Sequence, residues 1–344
     1  LCAARSVSGN EKPVRDIIIS EIKDHVESLH IDKLGNLIAF KKGKQPAKTK
    51  LMISCHMDEV GFIVTDIDDN GFIKFASIGA VNPTSAVCTS VSIGTNNIPG
   101  IIGCKPIHLL TNDEKKEQLK YANLVIDIGA KNKKQAEKYI HIGDFISFTG
   151  NFQVIPSDTD DITKCIIRAK ALDDRIGCYI LIDLIKSELD YDMYFVFTVQ
   201  EEVGLRGATT ATFAVNPDVA LVVEATTAAD LANVEQNKTI CSLGDGPVIS
   251  FMDSSTLYDR GLFDLALQIS KNENIKSQIK RGITGGNDAG AIHKSRSGVK
   301  TLAISLPCRY LHSQICQIHG EDVINTQKLL RSISTKIAGG KNFE

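Results

Sequence analysis

Apolar residues are arranged along this chain in two textures. Residues 51–55, 194–200, 219–223 and 301–306 are nearly continuous apolar or β-branched runs, the pattern of strands covered on both faces in an open α/β sheet. Between them the spacing turns helical. Val14, Ile17, Ile18, Ile22 and Val26 predict an amphipathic helix over residues 11–29, opened by the Ser8-Gly-Asn-Glu11 stretch and Pro13. Ile180, Leu181, Leu184 and Ile185 predict a second helix, and Val323, Leu329, Leu330, Ile333 and Ile337 a third, running from Glu321 to the C-terminus. Residues 32–40 read as a strand pair around Gly35-Asn36, and the basic, proline-containing 41–50 as a solvated connection, since no aromatic residues interleave its charges.

The texture changes over residues 61–164. Short strands at 62–66, 72–76, 86–93, 100–104, 124–128 and 145–149, punctuated by Gly, Pro and Asn, predict a small barrel or sandwich, with one charged, helical stretch at 111–120. His108 and His141 stand apart there without paired carboxylates and read as surface residues. The chain therefore divides into a discontinuous α/β unit, 1–60 and 165–344, and an inserted β-rich unit, 61–164. Its 344 residues agree with two cores at roughly 150 residues each.

Composition narrows the function without choosing it. With 39 basic and 41 acidic residues and a net charge of -2, nothing favours nucleic acid or an anionic membrane as partner. Nine cysteines are scattered singly with no close pair, which suits a reducing cytoplasm better than a disulfide framework or a zinc ribbon. No apolar run reaches the roughly 20 residues of a membrane span, and no signal-peptide pattern opens the sequence.

The chemistry collects where predicted strands end. The first run passes into His56, Asp58 and Glu59, with Asp58 placed to orient His56. The second stops at Glu201-Glu202 before turning on Gly204 and Gly207, so one carboxylate is available to bind a metal and the other to move protons. Asp173-Asp174 stands at a helix entrance, where a cap needs only one carboxylate. Glu224 ends a further strand, and His312 lies just past another. The glycine-rich 283–290 lets backbone approach a ligand but lacks phosphate-loop spacing. His56, Asp173, Glu202, Glu224 and His312 are the candidate ligands. Three carboxylates with a hydroxide balance two divalent ions, and the mixed nitrogen and oxygen set suits zinc or cobalt, with manganese also compatible.

Val7-Ser-Gly-Asn-Glu11, Cys55-His-Met-Asp-Glu-Val-Gly61, Gly103-Cys-Lys-Pro-Ile-His108, Asp127-Ile-Gly-Ala130, Leu172-Asp-Asp-Arg-Ile-Gly177, Gln200-Glu-Glu-Val-Gly204, 285–290 and Arg309-Tyr-Leu-His-Ser313 together resemble the M42 family of metallo-aminopeptidases. The resemblance implies a zinc-peptidase-like catalytic domain with a mixed sheet, interrupted by a β-rich dimerisation domain. It also implies His56 and Glu224 on one metal, Glu202 and His312 on the other, Asp173 bridging, and Glu201 as general base; Asp58, placed to orient His56, is counted with Glu201 among the catalytic residues. Family members often assemble from dimers into dodecamers. The chain departs from the family pattern at Glu224, where Asp is frequent, at Asn287, where Thr is usual, and at Cys316, where an acid often follows the His-Ser pair. The expectation is a cytoplasmic aminopeptidase acting on short peptides, with a metal-dependent deacylase or carboxypeptidase-type amidase as the alternative. A metal-free glycosidase or a non-enzymatic binding protein would leave this ligand set unused.

Overall fold

The computed structural model describes residues 1–157 and 161–341. Eight strands form a mixed sheet in the order Ser28–Ile31, Leu37–Lys41, Met193–Thr198, Leu51–His56, Val219–Thr227, Lys300–Cys308, Val248–Ile249 and Gln278–Ile279. The four from Met193–Thr198 to Lys300–Cys308 run parallel. Leu51–His56 is buried throughout, and Val219–Thr227 at all but its last residue. Helices pack on the sheet, among them Leu172–Lys186, Arg206–Val215, Arg260–Asn272 and Gly320–Ala338, which is why the strand sequences are apolar on both faces. Parallel strands share a direction, so their carboxyl ends gather along one edge of the sheet.

The chain leaves that edge at Gly61 and enters a closed six-stranded barrel, Gly61–Ile67, Ile73–Ile78, Leu124–Asp127, Ile98–Cys104, Ser90–Ile93 and Phe145–Phe148. All six strands predicted in this region are present. The barrel has its own core, distinct from that of the sheet. Within it the Phe62 ring meets Phe75 and Phe148 edge-on, with centroids 5.0 and 5.2 Å apart. The chain returns through Gln153–Ile155, which pairs with Ile166–Ala169 and, through it, with Cys316–His319.

Three local expectations need correcting. The first helix covers only Lys12–Ile22, followed by a single 3-10 turn, because Ser28–Ile31 is drawn into an edge strand. The turn of that hairpin is closed by Asp32, whose Oδ1 accepts the amides of Leu34, Gly35 and Asn36, and a helix through residue 29 would forfeit the ladder. Ser8 does not cap the helix; its N-cap Glu11 makes no side-chain cap bond, and Ser6 Oγ accepts the Val14 amide instead. Residues 111–120 form turns rather than a helix. Thr111 and Glu114 exchange bonds like a capping pair, but 111–118 are exposed and offer no apolar face to bury. The final helix is Gly320–Ala338; the last part of the predicted C-terminal run, 342–344, lies outside the described residues.

The segment before the first helix lies against the site edge, held by buried cations. Lys170 Nζ donates to both Glu59 oxygens at 2.7 and 2.6 Å, and Glu59 Oε1 also accepts the Ser6 amide. Arg175, buried, donates to the carbonyls of Leu1, Ser6 and Met57. Removing one member of such a pair leaves an uncompensated buried charge. Lys170→Met should therefore lower stability by about 3–5 kcal/mol in urea unfolding, and adding Glu59→Gln should recover part of the loss. An unchanged midpoint for Lys170→Met would show that the pair does not hold this segment.

Candidate active site

His56 is the last residue of Leu51–His56 and is buried. Its Nε2 lies 3.2 Å from Asp173 Oδ1 and 3.3 Å from Glu224 Oε1, while Nδ1 faces the Asp58 carbonyl at 3.1 Å. His312 Nε2 lies 3.5 Å from Asp173 Oδ2 and 3.3 Å from Glu202 Oε2. Asp173 thus stands between two imidazole–glutamate pairs and turns one oxygen to each. All five candidate ligands come together at the carboxyl edge of the sheet.

Local backbone explains how adjacent identical acids take different positions. Asp173 and Asp174 have non-helical backbone angles at the start of Leu172–Lys186, and the peptide between them is cis. Asp174 turns inward, where Oδ1 accepts the Gly177 amide at 3.0 Å and Oδ2 the His56 amide at 3.3 Å. A Cβ at residue 177 would come within 2.4 Å of that carboxylate, so glycine makes the cap fit. Asp173 is left to face the histidines. In the glutamate pair, the strand stops at Thr198 and Gln200 is left-handed at φ 55°, an arrangement concentrated at functional sites. The kink breaks strand alternation, and both carboxylates line one cavity of about 550 Å³. The amides of Glu201 and Glu202 donate to the two oxygens of Asp58 at 3.0 and 3.2 Å, and the Ser8 hydroxyl to Oδ2 at 2.6 Å.

The site is short of positive charge. Burial first, and then neighbouring carboxylates, push Glu202 and Glu224 up to about 8, and burial raises Glu201 as well. Asp173 is held low by His312 and His56 against the opposing effect of burial. Burial would lower both histidines, but facing carboxylates raise His56 well above its ordinary value and His312 to about 9. Clustered buried carboxylates that outnumber their imidazoles fit divalent cations. Among the described residues, donor atoms of His56, Asp173 and Glu202, and those of His56, Asp174 and Glu224, lie within 4.8 Å of one another. Asp173 is better placed to bind an ion than Asp174, whose two oxygens already accept backbone amides.

The positions that depart from the M42 pattern have local partners. Glu224 reaches His56 and its own following amide. The Asn287 side chain donates to the Tyr258 hydroxyl at 3.0 Å and accepts from the Ala289 amide at 2.9 Å. Cys316 is buried with its thiol toward the Tyr310 carbonyl. Sequence reasoning did not find the roles of Ser8, Thr198 and Asp288; the Thr198 hydroxyl donates to Asp288 Oδ2 at 2.5 Å and ties the glycine-rich turn to the strand that delivers the glutamates. A larger cleft, about 780 Å³, opens at the amino ends of Val219–Thr227 and Lys300–Cys308, away from the edge where sites form in open sheets.

The sequence profile described as M42 glutamyl aminopeptidase matches residues 35–329. Lysyl aminopeptidase of Pyrococcus furiosus is 33% identical over 337 residues, 95% of this chain and 92% of that protein. The solved TET aminopeptidase from the marine sediment archaeon Thaumarchaeota archaeon SCGC AB-539-E09 superposes with a TM-score of 0.91 at 30% identity, covering 99% of this chain and 94% of that one. The Pyrococcus horikoshii TET1 peptidase, which can assemble into a tetrahedron or a large octahedral shell, gives 0.81 at 32% identity, covering 98% and 97%. Family profile, full-length relatives and the cluster at the sheet edge agree, and the chain belongs to the M42 aminopeptidase family of metal-dependent peptide hydrolases.

Proposed function

We propose that this enzyme is a dinuclear aminopeptidase that removes N-terminal residues from short peptides. The observation that carries this reading is Asp173 between the His56–Glu224 and His312–Glu202 pairs, with the Glu201 carboxylate beside them and without a hydrogen-bond or ion-pair partner among the described residues. His56, Glu224 and Asp173 would hold one divalent ion, and Glu202, His312 and Asp173 the other, with zinc or cobalt suited best and manganese also compatible. Such a pair supplies Lewis-acid polarisation of the scissile carbonyl and an acidified water.

The protein's own groups do the remaining work. Glu201, raised by burial, takes a proton at its free carboxylate from the attacking water and returns it to the leaving amine. Asp58 keeps the Glu201–Glu202 backbone and the His56 ring in place without touching substrate. The 285–286 glycines line the cavity and allow close approach of peptide backbone. The family profile carries the name glutamyl and one relative the name lysyl, so membership leaves the preferred side chain open.

We also assign residues 61–164 to dimerisation and 1–60 with 165–344 to catalysis, in a homo-oligomer. Ile101, Ile107, Leu109 and Ile142 are exposed on the insert, apolar surface of the kind that subunit contacts cover, and the TET1 relative forms closed shells. Nine free cysteines favour a cytoplasmic setting. No helix among the described residues is long and apolar enough to cross a membrane.

Chelation should abolish peptide hydrolysis and a divalent ion should restore it; full turnover by protein shown to be metal-free would overturn the proposed chemistry. Glu201→Gln should keep metal content near wild type while kcat falls about 10²–10⁴-fold, whereas Glu202→Gln should lose metal at one site. Metal stoichiometry and kcat measured on both variants decide between them, and the reverse pattern would exchange the two roles. Replacing residues 61–164 by a short linker should give monomers by light scattering, and persistence of the intact protein's assembly would move the subunit contacts elsewhere.

A further inference from the structure

The candidate active-site cavity is lined by a cation that the reaction does not use. Lys280 is the one lysine or arginine on its walls among the described residues, and it is 7% exposed. It follows the edge strand Gln278–Ile279, where its amide donates to the Ile249 carbonyl. Its Nζ donates to the Thr284 carbonyl at 3.1 Å, just before the glycine-rich turn. An ammonium carries three donors, yet no described carboxylate lies within 4.0 Å of this one. Asp253, the acid whose field is strongest there, is already engaged: Oδ1 accepts the Ser255 and Thr256 amides at 2.8 Å each, and Oδ2 the Tyr258 hydroxyl at 2.5 Å.

A buried, unpaired charge is costly, and the cost is offset when an anion arrives beside it. Ile240 and Leu311 on the same cavity can cover the methylenes of a side chain whose end reaches the ammonium. We propose that Lys280 is the specificity-determining residue and binds the side-chain carboxylate of an acidic N-terminal residue, glutamate or aspartate, while repelling N-terminal lysine or arginine. This rests on the aminopeptidase reading above. The competing role for Lys280 is a brace for the turn through Thr284, which would act on every substrate alike. A peptide's C-terminal carboxylate offers the same chemistry, so the substrates must separate the two sources.

Aminoacyl p-nitroanilides lack a C-terminal carboxylate, and the Glu and Gln derivatives differ in charge at nearly constant shape. With metal-loaded wild type, kcat/KM should favour Glu over Gln by about 10–100-fold, the worth of a charged hydrogen bond. The Lys derivative should be the poorest of a Glu, Gln, Leu and Lys set. Lys280→Met should bring the Glu/Gln ratio near one while the Leu rate stays within a few-fold, and Lys280→Arg should keep part of the preference. Calorimetric binding of free glutamate against glutamine to wild type and Lys280→Met should give the same ordering without turnover. Equal use of Glu and Gln by wild type, a uniform loss on all substrates in Lys280→Met, or a charge effect seen only between Ala-Ala and its C-terminal amide would each overturn the inference. Failure to cleave any anilide would overturn the aminopeptidase reading with it, whereas cleavage without charge preference removes only the role of Lys280.

Discussion

The Asp58 carboxylate is the interaction on which the site depends. It is buried, and its two oxygens accept the amides of Glu201 and Glu202 and the hydroxyl of Ser8, while its own carbonyl faces His56 Nδ1. Burial would favour the neutral acid, but His56, Ser8 and the Glu201 amide hold its pKa below the usual carboxylate range. One charged group therefore fixes a strand end, the kink after another strand and the segment before the first helix in mutual register. Because amides donate to it rather than solvent, the two glutamates cannot swing without exposing a buried charge.

The sheet was legible because its central strands are covered on both faces, which forces long apolar runs such as 51–55 and 219–223. Their ends were legible for the same reason, since a charged residue cannot continue inward, and His56 and Glu224 mark where the cover stops. Adjacent pairs were harder. Nothing in two neighbouring aspartates says which one caps, although Gly177 carried a signal: only a residue without Cβ leaves room for a carboxylate folded back on that turn. The distinction between Glu201 and Glu202 depends on the left-handed Gln200, which no local pattern announces. Apolar spacing overextends the first helix because Val26 continues its period, while the competing hairpin is set by the Asp32 turn farther on.

Ser8 and Lys280 were missed for a different reason. Each acts across a long sequence separation, Ser8 on Asp58 and Lys280 on a cavity built from other strand ends. Gln278–Ile279 is only two residues long, too short to show any periodicity. The barrel adds a related case. Ala80, from the barrel segment, lines the candidate active-site cavity, and a Cβ on Gly79 would meet Val60 at 2.8 Å and Glu202 Cβ at 3.4 Å. The insert is thus packed against the backbone that carries a candidate ligand, so a shift of the barrel on assembly would be felt at the site.

The same buried carboxylates also tie metal binding to pH. In the protein alone, burial raises Glu201, and burial with neighbouring carboxylates brings Glu202 and Glu224 up to about 8, so near neutral pH these groups largely hold protons. Facing carboxylates raise His56 and His312 as well, so the imidazoles too are protonated before an ion arrives. Divalent ions held by the five candidate ligands would have to displace those protons, and the charge of the cluster would change far less than the count of its carboxylates suggests. Metal affinity would therefore fall as pH falls, because ion and proton compete for the same buried ligands.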